Sequence, residues 1–133
     1  VTVLVTGGSG LVGSHVLEAL RARGEQTRAL VRSESRAEVE ALGAEAVIGD
    51  ITDEAVWRRA AAGVRGIVHA AALVARRAPF QEFERVNVGG TRLATEAARR
   101  TGARLIHVSS VAVYGRSVTY ASGHGTIAED FPF

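Results

Sequence analysis

The chain has 133 residues, 47% of them apolar and 23% charged, with a net charge of +2 at pH 7 and no cysteine. Those figures describe one ordinary globular domain and exclude a disulfide framework or thiolate chemistry, while no apolar stretch approaches the roughly 20 residues of a membrane span. The pI of 9.9 comes from arginines dispersed along amphipathic stretches rather than from a basic patch, so neither nucleic acid nor a membrane is an expected partner, and the expected compartment is the cytoplasm.

Val1–Thr6 is an apolar run that reads as a strand. It leads directly into Gly7-Gly8-Ser9-Gly10-Leu11-Val12-Gly13, and Leu11–Arg23 follows as an amphipathic helix whose buried stripe is Gly13, Val16, Leu17 and Leu20. Gly24 closes that helix. Further strands are expected at Gln26–Arg32, Glu45–Gly49, Gly66–Ala71 and Arg104–Ser109, rich in the Val, Ile, Leu and Ala of strands covered on both faces. Asp53 is placed to cap a helix. A longer helix is expected over Phe80–Arg100, where Phe83, Val86, Gly90, Leu93 and Ala97 share one face, and Gly102 ends it. After Ser110 the periodicity gives way to an irregular, glycine- and serine-rich loop. Strands alternating with helices in this way predict an α/β fold around a parallel sheet.

The glycine loop is the first chemical signal. Free N–H groups at a helix mouth, at the positive end of its dipole, suit the two phosphates of a dinucleotide. Gly7 permits the tight turn out of the strand, Gly10 lets the backbone approach the diphosphate, and Gly13 lets the helix pack closely. Ser9, Leu11 and Val12 complete the cradle. In such folds the end of the second strand meets the adenosine ribose, and here Arg32 stands where an arginine would pair with a 2′-phosphate, which favours NADP. NAD stays open, because Glu34 would serve as the ribose acid if the turn were shifted.

Five segments in order resemble the extended short-chain dehydrogenase/reductases, in the branch of nucleotide-sugar epimerases, dehydratases and dihydroflavonol-reductase-like proteins. They are Thr6 to Gly13, Gly49-Asp50-Ile51-Thr52-Asp53, His69-Ala70-Ala71-Ala72, Asn87-Val88-Gly89-Gly90-Thr91 and Val108-Ser109-Ser110-Val111-Ala112-Val113-Tyr114-Gly115. The resemblance implies a Rossmann-type doubly wound parallel sheet, and it implies hydride transfer between a nicotinamide and a carbonyl or hydroxyl carbon of a nucleotide sugar or small ketone. It also implies that Asp50 and Ile51 contact adenine, that Ala70, Ala71 and Ala72 line the ribose and diphosphate, and that Asn87 ties the backbone near the active site. Ser110 would be the catalytic hydroxyl holding the substrate oxygen, with Ser109 as its neighbour. His69 and His107 read as packed strand residues, and the dispersed histidines suggest no metal site. By analogy with the family, the Phe80–Arg100 helix would pair two copies into a homodimer.

One departure stands out. The family's Tyr-x-x-x-Lys pair is absent, and all 16 basic residues are arginine. Tyr120 and His124 have the spacing but not the chemistry, and Tyr114 belongs to the loop after Ser110. Two readings are therefore open: a sheet truncated before its last strands, as part of a longer enzyme, which is favoured, or a catalytically inactive module that senses NADP.

Overall fold

The computed structural model of the chain describes residues 2–74 and 77–114. The strands are β1 (Thr2–Thr6), β2 (Gln26–Val31), β3 (Glu45–Ile48), β4 (Val64–His69) and β5 (Arg104–His107). The helices are α1 (Leu11–Ala22), α2 (Arg36–Ala41), α3 (Glu54–Ala60), α4 (Phe80–Phe83) and α5 (Gly89–Thr101), with a π-helical turn Glu84–Val88 joining the last two. Every strand pair is parallel and the sheet order is β3-β2-β1-β4-β5. This is the doubly wound arrangement expected from the alternation of elements. The chain turns back across the sheet between β1 and β4, which opens a crevice at the carboxyl ends of those strands.

Alternation along the strands divides the interior into two cores. Leu4, Leu30 and Ile67 face Val56 and Trp57 of α3 and Leu93, Ala94 and Ala97 of α5. Val3, Val5, Ala29, Val31 and Val68 face Leu17 of α1 and Val39 of α2. Each fully buried Leu or Ile side chain contributes about 1.5–3 kcal/mol. Polar groups secure the ends of the helices. Asp53 Oδ1 accepts from Ala55 N at 2.8 Å and caps α3, as its position in the sequence suggested. Arg28 Nη1 donates to the carbonyls of Ala60 and Ala62 at the far end of the same helix. Gly24, at φ +72°, ends α1, with its N–H bonded to Arg21 O and that of Glu25 bonded to Leu20 O.

Several boundaries depart from expectation, β2, β3 and α1 each by one residue at the end. β4 begins at Val64 rather than Gly66, because the register against β1 shifts after Thr2 and admits Arg65 as an extra residue. It also ends at His69, so Ala70 and Ala71 lie outside the strand, and β5 likewise ends at His107, two residues before the expected Ser109. The expected Phe80–Arg100 helix runs on to Thr101, but the π-helical turn interrupts its α-helical bonding. Tyr120 and His124 lie outside the described residues.

Candidate functional site

The crevice is a cleft of about 600 Å³. Gly7, Ser9, Gly10, Leu11, Val12 and Gly13 line it from one side, Arg32, Asp50 and Ile51 from the ends of β2 and β3, and Ala70, Ala71 and Ala72 from the end of β4. These residues come from separate stretches of the sequence and meet around one space.

Gly7 adopts φ +71°, and a Cβ there would lie 2.8 Å from Ala71 N. The Gly10 N–H closes the turn on Gly7 O at 2.9 Å. Gly10 is also the N-cap of α1 and supplies no side-chain cap. The first-turn N–H groups of Leu11, Val12 and Gly13 therefore have neither an intrahelical partner nor a side-chain one. An uncapped helix mouth opening on a cleft, beneath a turn too tight for side chains, fits the diphosphate of a dinucleotide.

Behind this cradle Thr6, which is fully buried, accepts from Ala71 N at 3.2 Å with its hydroxyl oxygen and sits 2.8 Å from His69 Nδ1. Which of the two donates in that contact depends on the His69 tautomer, and the buried Nε2 on the other side of the ring has no hydrogen-bond partner among the described residues. Burial, aided by the charge of His107, pushes His69 down to about 4. His69 is neutral near pH 7 and packs between Trp57, edge-on at 5.8 Å, and the stacked ring of His107 at 5.6 Å.

Asp50 Oδ1 accepts from both the N–H and the hydroxyl of Thr52 at 2.8 Å. Partial burial works against its charge, but the bonds from Thr52 and the nearby Arg85 and Arg32 outweigh it, so the carboxyl stays below its usual range. Ile51 is held from behind by Trp57 Nε1, which donates to its carbonyl at 2.7 Å. The Arg32 side chain is 75% exposed and pairs at 3.1 Å with Glu34, so the two candidate readers of the ribose lie together.

Asn87 and Ser110 do not line the cleft. Asn87 stands behind its wall, where Oδ1 accepts from Leu73 N at 2.7 Å and Nδ2 donates to Leu73 O at 3.2 Å. It therefore clamps the backbone directly after the Ala70 to Ala72 stretch. Ser110 follows β5 and is exposed; its Oγ accepts from Ala112 N at 3.2 Å, and its O–H has no acceptor among the described residues. Sequence reasoning placed Thr6 only as the start of the glycine motif, without a role, and missed Glu82 and Arg85. Thr6 sits within an apolar strand run, and Glu82 and Arg85 look like ordinary surface charges of a helix.

The parallel sheet with its order reversal, the glycine turn and the uncapped helix mouth define a nucleotide-binding domain of the Rossmann class. A family model, the NAD dependent epimerase/dehydratase family, matches residues 3–130, and the chain belongs to that family. It is 47% identical over 111 residues to 4-hydroxy-2-methyl-3-oxo-4-farnesyl-3,4-dihydroquinoline-1-oxide ketoreductase of Stigmatella aurantiaca, a match over 82% of this chain and 33% of the relative. It is 40% identical over 131 residues to sterol demethylase protein B of Methylococcus capsulatus, over 96% of this chain and 40% of that protein. A short-chain dehydrogenase/reductase superfamily protein from Agrobacterium tumefaciens, solved with bound NAD, superimposes with a TM-score of 0.81 at 31% identity, over 99% of this chain and 38% of the other. The chain thus spans about a third to two fifths of the length of these curated relatives. Among the described residues no helix is long and apolar enough to cross a membrane.

Proposed function

We propose that the chain forms the cofactor-binding part of an NADP-dependent reductase or dehydrogenase, in which hydride moves between nicotinamide and a carbonyl or hydroxyl carbon of an apolar substrate. The observation that carries this reading is the uncapped mouth of α1, which opens on the same cleft as Asp50 and the Ala70 to Ala72 stretch. When bound, the cofactor supplies or accepts the hydride at nicotinamide C4. The chain supplies the cofactor's cradle: first-turn N–H groups for the diphosphate, an Asp50 acceptor and an Ile51 platform for adenine, and Arg32 for the 2′-phosphate. Asn87 keeps the Leu73 backbone in place, and the O–H of Ser110 donates to the substrate oxygen.

The names of the two curated relatives, a farnesylated dihydroquinoline ketoreductase and a sterol demethylase protein, support a lipophilic molecule over a nucleotide sugar. So do Leu11 and Val74, which line the cleft yet are 81% and 86% exposed. Calorimetric titration of the wild type and Arg32→Ala with NADPH and NADH tests the assignment. NADPH should bind about tenfold tighter, and the variant should lose that preference, as removal of a charge-assisted bidentate pair requires. An unchanged preference in the variant removes Arg32 from the reading, and failure of both cofactors to bind removes the reading itself.

A further inference from the structure

At the Asp50 end of the cleft, four side chains form a hydrogen-bonded chain reaching from a helix to the turn after β3. Glu82 accepts two bonds from Arg85, from Nε at 3.0 Å and from Nη2 at 2.7 Å. The remaining terminal nitrogen, Nη1, donates to Thr52 Oγ1 at 2.9 Å. Thr52 in turn donates its hydroxyl proton and its N–H to Asp50 Oδ1. Glu82, Arg85 and Asp50 all line the cleft.

The direction of these bonds sets their effect. A hydroxyl can point its proton either way, but an oxygen that accepts from a guanidinium turns its proton elsewhere. With Arg85 in place, the Thr52 proton is directed to Asp50 Oδ1. Both Thr52 donors then converge on one carboxylate oxygen, and Oδ2 carries no hydrogen bond among the described residues. An ionised carboxylate only accepts, so Oδ2 calls for a donor from whatever occupies the cleft. The N–H of Ile51, next along the chain, is likewise without a partner among the described residues. An acceptor beside a donor complements the amino group and N1 of adenine. It opposes hypoxanthine, in which the six-position accepts and N1 donates.

Arg85 is not needed for the fold in the same way. Its ion pair with Glu82 joins side chains that are 51% and 42% exposed, a class of contact that adds little to stability. Its bond to Thr52, by contrast, spans 33 residues and joins the π-helical turn to the base-facing loop.

We propose that Arg85, held flat by Glu82, is a positioning residue that aligns Thr52 and Asp50 to read the amino group of adenine. It acts through Asp50 and need not touch the base. The proposal rests on the reading above that this end of the cleft takes the adenosine of the cofactor.

The test uses the full chain as wild type, Arg85→Ala, Arg85→Lys and Asp50→Asn. Each is titrated calorimetrically with NADPH and with its hypoxanthine counterpart, and its melting temperature is recorded. The wild type should prefer the adenine form by about tenfold, and Arg85→Ala should reduce that ratio to about threefold or less with little change in melting temperature, as loss of one aligned polar contact requires. Arg85→Lys keeps the charge but not the three-bond fork, so it should restore the ratio only in part. Asp50→Asn should abolish it, because an amide can turn either face to the base. If Asp50→Asn loses the ratio while Arg85→Ala keeps it, Asp50 reads the base unaided and the proposal is overturned. If the wild type shows no preference, or Asp50→Asn retains it, the adenosine reading of this end fails and takes the proposal with it.

Discussion

Gly13 faces the carbonyl oxygen of Gly7 so closely that a Cβ on Gly13 would lie 2.1 Å from it. The same oxygen receives the Gly10 N–H, so the first helical turn and the strand exit are built around one carbonyl. Gly13→Ala must push the helix off the turn, at a cost of about 1–3 kcal/mol for forced overpacking. Chemical denaturation should show that loss, and calorimetric titration should show dinucleotide binding weakened well beyond the stability change, because the displaced N–H groups are those proposed to hold the diphosphate.

Thr6→Val keeps the shape of the side chain and deletes its hydroxyl, leaving the Ala71 N–H and His69 Nδ1 without their shared partner. An unmet buried polar group costs about 1–3 kcal/mol. Unfolding in urea should report a loss in that range for Thr6→Val, and Thr6→Ser should recover most of it. Equal stability of the Val and Ser variants would show that the hydroxyl carries no energetic weight.

Acid should destabilise the fold through His69. Its folded value is about 4 against an ordinary 6.5, so between those values the unfolded chain binds a proton that the native one refuses. Stability is therefore full above the ordinary value, falls as the pH drops through that window, and levels off below the folded value, with a total on the order of 3 kcal/mol. Asp50, held below its usual range, adds its own loss only as the pH falls further, below 3.8. Denaturation midpoints from pH 7 to pH 4 should show the His69 slope, and His69→Gln should flatten it.

Asn87→Ala removes both bonds to the Leu73 backbone. About 1–2 kcal/mol of stability should be lost. Asn87→Asp keeps an acceptor for the Leu73 N–H but has no donor for the Leu73 carbonyl, so it should fall between wild type and Asn87→Ala. Backbone amide exchange at Leu73 checks this directly: protection should drop in the order wild type, Asp, Ala.

What the amino-acid pattern revealed follows from the range of the interactions involved. β1, the glycine turn and α1 are adjacent along the chain and obey local rules of period and steric bulk, so Val3, Leu4, Val5 and Leu17 could be placed from spacing alone. Asp53 was legible as a cap because its partner, Ala55, is two residues away. The π-helical turn was not, since the apolar spacing of Phe83, Val86, Gly90 and Leu93 reads the same with or without a locally wider turn. α2 has a single buried apolar residue, Val39, too few for a periodic signal. The extra residue at Arg65 and the reach of Arg85 to Thr52 depend on register and on side chains meeting across elements, which no short window of sequence encodes. The pairing of Arg32 with Glu34 turned two competing candidates into neighbours.

Trp57 is the only tryptophan in the sequence. It is 1% exposed, its ring nitrogen is bonded to the Ile51 carbonyl, and its edge meets His69. The molecule therefore carries its own optical probe, one wall away from the cleft proposed for the nucleotide. Indole emission overlaps the absorbance of reduced nicotinamide, so occupancy of the cleft should dim that light by energy transfer, and protonation of His69 should quench it separately in acid, with no label attached.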